Sequence, residues 1–170
     1  MQETIAPLVN TWAVASLIVS FAVCQVLFQL RRCRIGDDIP DLWRQWYTPE
    51  RVHQFLDALK TDSNRNLYAL SEVTVDVVFP ITYGLLAAVT LYSLLGQSLP
   101  TFEFLLFLPL ITVAADLLEN ATVAWLAWTF EPCAPPRNLA WLTALGTFVK
   151  WRSLYLLLLV VVWLLIRACL

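Results

Sequence analysis

Charge is scarce in this chain. Of its 170 residues only 14% are Asp, Glu, Lys or Arg, where a soluble domain carries about 25%. So few charged groups cannot solvate a surface, which excludes a soluble enzyme and a disordered chain. Basic excess is missing too: 11 Lys and Arg face 13 Asp and Glu, so nothing is held in reserve for nucleic-acid phosphates. Histidine is reduced to His53. A lone histidine excludes an H-E-x-x-H zinc site and any multi-histidine cage. It also lies in a polar segment ill suited to a Ser–His–Asp triad. The four cysteines, Cys24, Cys33, Cys133 and Cys169, contain no C-x-x-C pair, which excludes a thiol oxidoreductase. Cys24 stands in an apolar run and reads as a small core residue.

What the chain has is apolar surface, 59% of its residues. Four stretches reach the roughly 20 apolar residues that cross a bilayer: about 7–30, 67–95, 102–130 and 139–167. This pattern predicts an all-α polytopic membrane protein, one four-helix transmembrane domain over residues 1–170. The first stretch reads as a permanent anchor, because Met1-Gln2-Glu3 is no positive leader and no A-x-A site follows. Pro109 is a candidate kink in the third. For the fourth there is a rival reading. Lys150-Trp151-Arg152 looks like an interface anchor, so the span could start near Ser153 and leave 139–149 interfacial.

Basic residues set the expected orientation. Arg31, Arg32, Arg34, Arg44, Arg51, Lys60 and Arg65 lie between the first two stretches, and Arg137 lies between the last two. Against these eight stands Arg167 alone. The positive side stays cytoplasmic, so the 31–66 loop is expected inside and both termini outside. Cys33 and Cys133 then face a reducing compartment, which argues against a disulfide. Within the loop, Thr48-Pro49-Glu50 followed by Val52, Phe55, Leu56 and Leu59 predicts an amphipathic helix over 49–60. Such a helix lies on the membrane or caps the bundle.

The apolar stretches contain misfits. Glu72 and Asp76 interrupt the second, Asp116, Glu119 and Asn120 the third, Lys150 and Arg152 the fourth. Each charge near a bilayer centre costs about 2.5–3.5 kcal/mol on insertion scales, so the set cannot all face lipid. Helical spacing sorts them into stripes: Tyr68, Glu72, Asp76, Pro80 and Tyr83; Thr112, Asp116, Glu119 and Asn120; Thr143, Thr147 and Lys150 beside Gly146. At about 1.5 Å per residue, Asp76, Glu119 and Lys150 each fall roughly 13–17 Å below the same surface. Arg152 points elsewhere, about 200° round the helix from Lys150. The first stretch offers only Ser16, Ser20, Gln25 and Gln29 and is expected to contribute little. The candidate ligand- or ion-binding residues are therefore Glu72, Asp76, Tyr83, Asp116, Glu119, Asn120 and Lys150. Four carboxyls against one lysine share protons, or draw in a cation or a ligand amine. Helix-to-helix glue is the architectural alternative.

Two strings, Asp76-Val-Val-Phe-Pro80-Ile-Thr-Tyr83-Gly84 and Asp116-Leu-Leu-Glu119-Asn120, followed by Lys150, resemble a group of small uncharacterised bacterial four-span membrane proteins. The likeness covers about residues 67–152 and implies the four-span plan, with no activity to carry over. The expected function is to bind or transport a proton, a cation, or an amine-bearing or lipid-like small molecule. Two alternatives stay open: a membrane enzyme on a lipid or isoprenoid, and an accessory subunit docking through its 31–66 loop. The residues name no reaction, metal or cofactor. The expected partners are the bilayer and a small ligand, with a homo-oligomer or larger membrane complex open and no nucleic acid.

Overall fold

The structure is a computed structural model that describes residues 10–36, 38–96, 100–134 and 138–169. Among the described residues there are helices and turns and no strand. Helix α1 spans Thr11–Ile35. Asn10 caps it, its Oδ1 accepting from the Ala13 N–H at 2.8 Å. Gly36 stops it at φ +93°, a region that glycine enters without a Cβ clash, and donates its N–H to the Arg32 carbonyl at 2.8 Å. The helix thus runs past the expected end near residue 30. Arg31, Arg32 and Arg34 form its last turns instead of opening a loop, where their charge suits the negative helix end.

A turn of 3-10 helix at Pro40–Leu42 leads to α2, Pro49–Ala58. Thr48 holds the N-cap position. Its hydroxyl bonds the Glu50 carboxylate, which keeps that carboxyl below its ordinary range. Val52, Phe55 and Leu56 of α2 are buried in one cluster with Trp43, Tyr47, Tyr68 and Ala127. The amphipathic helix therefore caps the end of the longer helices.

Helix α3, Asp62–Val73, starts five residues before the expected 67, because Thr61 caps it: its Oγ1 accepts from the Asn64 N–H at 3.2 Å. A break at Thr74 (φ −119°, ψ −82°) separates α3 from α4, Val75–Leu95. A 3-10 stretch at Pro100–Leu106 precedes α5, Phe107–Trp128. Pro109 consequently sits in the first turn of α5, where its missing N–H disrupts no helical bond, and it is not the mid-span kink expected of it. Helix α6 runs unbroken over Ala140–Cys169, through Lys150-Trp151-Arg152. No separate interfacial segment precedes it among the described residues. Arg137, counted above, lies outside them.

Three helical stretches are long and apolar enough to cross a membrane: Thr11–Ile35, Asp62–Leu95 and Ala140–Arg167. The sequence pattern predicts four. The exception is α5, which is shorter, polar at its middle, and enclosed by α3, α4 and α6. Eleven of its 22 residues are buried, against three of 25 in α1. It packs on more of the fold than the other long helices do, while one face, with Leu110, Ile111 and Trp125, stays exposed.

The tightest seam joins α5 and α6 at Gly146. A Cβ there would stand 2.9 Å from both the Ala115 carbonyl oxygen and the Glu119 nitrogen, atoms of backbone that cannot swing aside. At Gly84 the obstacle is the Val113 Cγ2, a side-chain methyl. Overpacking costs about 1–3 kcal/mol. Gly146→Ala is therefore expected to lower the thermal midpoint of the detergent-solubilised chain clearly, and Gly84→Ala by less. Heating followed by fluorescence-detected size exclusion checks the order, and a reversed ranking contradicts it.

Candidate functional site

Two clusters of charge lie inside the helices, each one base held by two carboxyls. In the first, Arg31 of α1 meets Glu72 of α3 and Asp76 of α4. Its Nη1 donates to Glu72 Oε1 and to Ser71 Oγ, both at 2.9 Å, and also to Asp76 Oδ2. The guanidinium lies 5.1 Å from the Phe28 ring centre and 5.5 Å from that of Tyr68, a cation–π setting strengthened by burial. Glu72 and Asp76 are four residues apart, so both carboxyls reach one guanidinium although the helix breaks at Thr74 between them.

In the second cluster, Lys150 of α6 meets Asp116 and Glu119 of α5. Its Nζ donates to Asp116 Oδ1 at 3.1 Å and forms an ion pair with Glu119 Oε2. The Tyr83 hydroxyl donates to Asp116 Oδ2 at 2.7 Å, and that of Thr147 donates to Glu119 Oε1 at 2.7 Å. Tyr47, from the segment before α2, is 2.6 Å from Thr147 Oγ1. With the Thr147 proton turned to Glu119, Tyr47 is the donor of that contact. The close approach at Gly146 is what brings Thr147 and Lys150 onto α5.

Asn120 joins the clusters. Pro80 has no N–H, so the carbonyl of Asp76, four residues earlier, loses its helical partner. The Asn120 Nδ2 crosses from α5 and donates to that oxygen. Backbone freed by proline is thereby satisfied by a neighbouring helix, as an apolar surrounding requires.

A cavity of about 220 Å³ opens beside both clusters. Asp76, Tyr83, Asp116 and Lys150 line it together with Arg31 and Arg32. Apart from Gln25 of α1, its remaining wall is apolar: Phe28 of α1, Phe79 of α4, Trp151 and Leu154 of α6, with Ile39 and Leu42. Glu72, Glu119 and Asn120 are buried and stand behind this lining. The structure thus brings four of the seven candidate residues to one surface and puts three in the layer that holds them. Among the described residues, no three His, Cys, Asp or Glu side chains are grouped to hold a metal ion. Arg152 is exposed, its guanidinium 5.0 Å from the Phe148 ring centre, away from the cavity.

The first helix is no minor contributor, which corrects the sequence expectation. Arg31 is 7% exposed and is the base of the first cluster. Counting it as a loop arginine hid it. The available signal was Gly36, whose role as helix stop puts Arg31 inside α1. Tyr47 was missed as well, since nothing local marks a loop tyrosine for burial 100 residues from its partner. Compared with protein-family models, curated proteins and solved structures, the chain has no match.

Removing one partner of a buried ion pair typically costs about 3–5 kcal/mol, because a charge is left unpaired. Arg31→Met and Lys150→Met are each expected to destabilise by about that much, whereas Arg152→Gln stays near wild type. Adding Glu72→Gln and Asp76→Asn to Arg31→Met removes the stranded charges and restores part of the loss. Unfolding midpoints in mixed micelles check the series; a harmless Arg31→Met refutes it. Asn120→Leu is expected to lose about 1–3 kcal/mol by orphaning the Asp76 carbonyl. Pro80→Ala on top of it recovers part, since the restored N–H takes over that oxygen. A strictly additive double mutant contradicts the coupling.

Proposed function

We propose that this chain is an integral membrane protein of four spans that binds an amphiphile with a cationic, amine-type head in the cavity beside Arg31, Asp76, Asp116 and Lys150. Helix α5 supplies the fourth span, packed on α3, α4 and α6 along one side and exposing Leu110 and Ile111 on the other. Large apolar side chains such as Val19, Val26, Leu110, Ile111, Leu158 and Leu159 are exposed, while the carboxyls and their bases are buried. That inside-out distribution is what a lipid solvent favours. The excess of basic residues at one end supports a cytoplasmic 31–66 side, with both termini outside, in the inner membrane of a bacterium. The motif likeness to small bacterial four-span proteins belongs to the same reading.

The observation that carries the ligand assignment is the composition of the cavity wall. Charged groups with Tyr83 and Gln25 line one part and aromatic and aliphatic side chains the rest, the pattern of a site for a molecule with a polar head and an apolar body. Charge counting chooses the head. Four buried carboxyls face two buried bases, so each cluster accepts one more positive charge or one proton. An ammonium supplies that charge and donates hydrogen bonds to Asp76 and Asp116. A metal ion is the poorer fit, because the carboxyls are already divided in pairs between Arg31 and Lys150.

Purified chain in maltoside micelles tests this, with stearylamine as the probe and stearic acid as control. Stearylamine is expected to raise the thermal midpoint and stearic acid is not. Asp76→Asn and Asp116→Asn each leave one carboxyl per base, so both fold, and both weaken the amine response by about tenfold or more. Wild-type responses in both variants sink the reading. Tyr83 favours a second reading. Its hydroxyl lines the cavity on Asp116, a pairing able to pass a proton to a bound lipid or isoprenoid. Loss of turnover of a lipid extract in Tyr83→Phe, read by mass spectrometry, separates catalysis from binding.

A further inference from the structure

The cavity mouth holds a feature that an amine does not use. Arg32 lines it from the end of α1, and its Nε is buried with no hydrogen-bond partner among the described residues. Trp151 of α6 lines the same cavity, with the Arg44 guanidinium 5.0 Å from its ring centre. Neither Arg32 nor Arg44 pairs with a carboxylate among the described residues, unlike Arg31 and Lys150 deeper in. The charge around the cavity therefore changes with position: carboxyls exceed bases where Glu72 and Glu119 back Asp76 and Asp116, and Arg32 adds a positive charge with no carboxylate partner among the described residues. A guanidinium donates hydrogen bonds in a fixed fork that matches phosphate oxygens.

The helices leave a way out for a chain. α1 packs on α3 and α4, and α6 packs on α5, α4 and α2, but α1 and α6 meet at most at isolated points. The cavity lies in that seam, between Phe28 on one side and Leu154 on the other. Its volume, about 220 Å³, is below the roughly 300–1,000 Å³ of a site that encloses a whole drug-sized ligand. It holds a head group, and an attached acyl chain has to leave between α1 and α6.

Resting on the amine-binding reading, we infer that the occupant is an aminophospholipid. Its ammonium sits between Asp76 and Asp116, its phosphate on Arg32, and its acyl chain in the seam between α1 and α6. The two charges of the head match the two signs of the wall, and the seam gives entry from the bilayer without opening the bundle.

The test uses full-length chain in maltoside micelles, with binding read by native mass spectrometry. Four probes separate the parts: lysophosphatidylethanolamine, lysophosphatidylglycerol (phosphate without amine), stearylamine (amine without phosphate) and glycerophosphoethanolamine (head without chain). Lysophosphatidylethanolamine is expected to bind about tenfold or more tighter than each of the others, the worth of one charge-assisted hydrogen bond. Arg32→Gln is expected to abolish its advantage over stearylamine. Should stearylamine bind equally well in the wild type, the phosphate assignment is overturned while the amine reading stands. Equal binding of glycerophosphoethanolamine overturns the lipid in favour of a soluble head-group compound, and tighter lysophosphatidylglycerol overturns the ammonium site. If neither amine lipid binds, both readings fall. The wild-type ranking decides these outcomes even if Arg32→Gln does not fold.

Discussion

Buried charge is the constraint around which this molecule is built. Much of the helix surface is apolar, and the ionisable groups buried between the helices are matched by other protein groups. Arg31 and Lys150 are matched twice over, each by two carboxyls on other helices. The pairings run between elements: Arg31 ties α1 to α3 and α4, Lys150 ties α6 to α5, and Asn120 ties α5 to α4. Were one of these contacts missing, a charge or a carbonyl would be stranded where water does not reach. Polar cross-links of this kind specify which helix lies beside which. Apolar contacts alone would not, because one leucine face fits another with little preference.

The irregular backbone of the second helical stretch serves the same end. Thr74 interrupts the helix and Pro80 deprives the Asp76 carbonyl of its partner, so two defects bracket the acid that faces the cavity. Each is compensated locally. The Thr74 hydroxyl returns to the Leu70 carbonyl at 2.7 Å, and Asn120 covers the Asp76 oxygen. Backbone departures of this sort persist only where the surroundings over-determine them. Here the surroundings are the two charge clusters themselves, one on either side of Asp76 and Asn120.

Much of the site could be read from helical spacing. Tyr68, Glu72, Asp76, Pro80 and Tyr83 repeat at intervals of four and three, and all five face inward, Tyr83 only in part. Asp116, Glu119 and Asn120 share a stripe for the same reason, and Lys150 meets it through the small residue Gly146. Helix ends were less legible. The start of α3 depends on a cap at Thr61, and the end of α1 on a glycine conformation at Gly36, signals one residue wide beside apolar runs of twenty. The enclosed position of α5 was not legible at all: hydropathy reports how apolar a segment is, and says nothing of what its surface touches. Tyr47 shows the same limit, since its partner Thr147 is fixed by tertiary packing alone.

Arg31 carries the sharper lesson, because a sound rule concealed it. Clusters of arginine beside a span mark its cytoplasmic end, and the run from Arg31 to Arg34 reads as such a cluster. A helix turns about 100° per residue, so neighbours in that run cannot share a fate. Arg31 is buried between Glu72 and Asp76, Arg32 borders the cavity, and Cys33 and Arg34 are exposed. One short basic run thus supplies an internal counter-ion, a cavity wall and an exposed charge. An arginine consumed as a counter-ion no longer counts toward orientation. Removing Arg31 leaves seven basic residues against Arg167, and the asymmetry survives. Arg31 can therefore serve the site while the basic excess at that end of the helices persists.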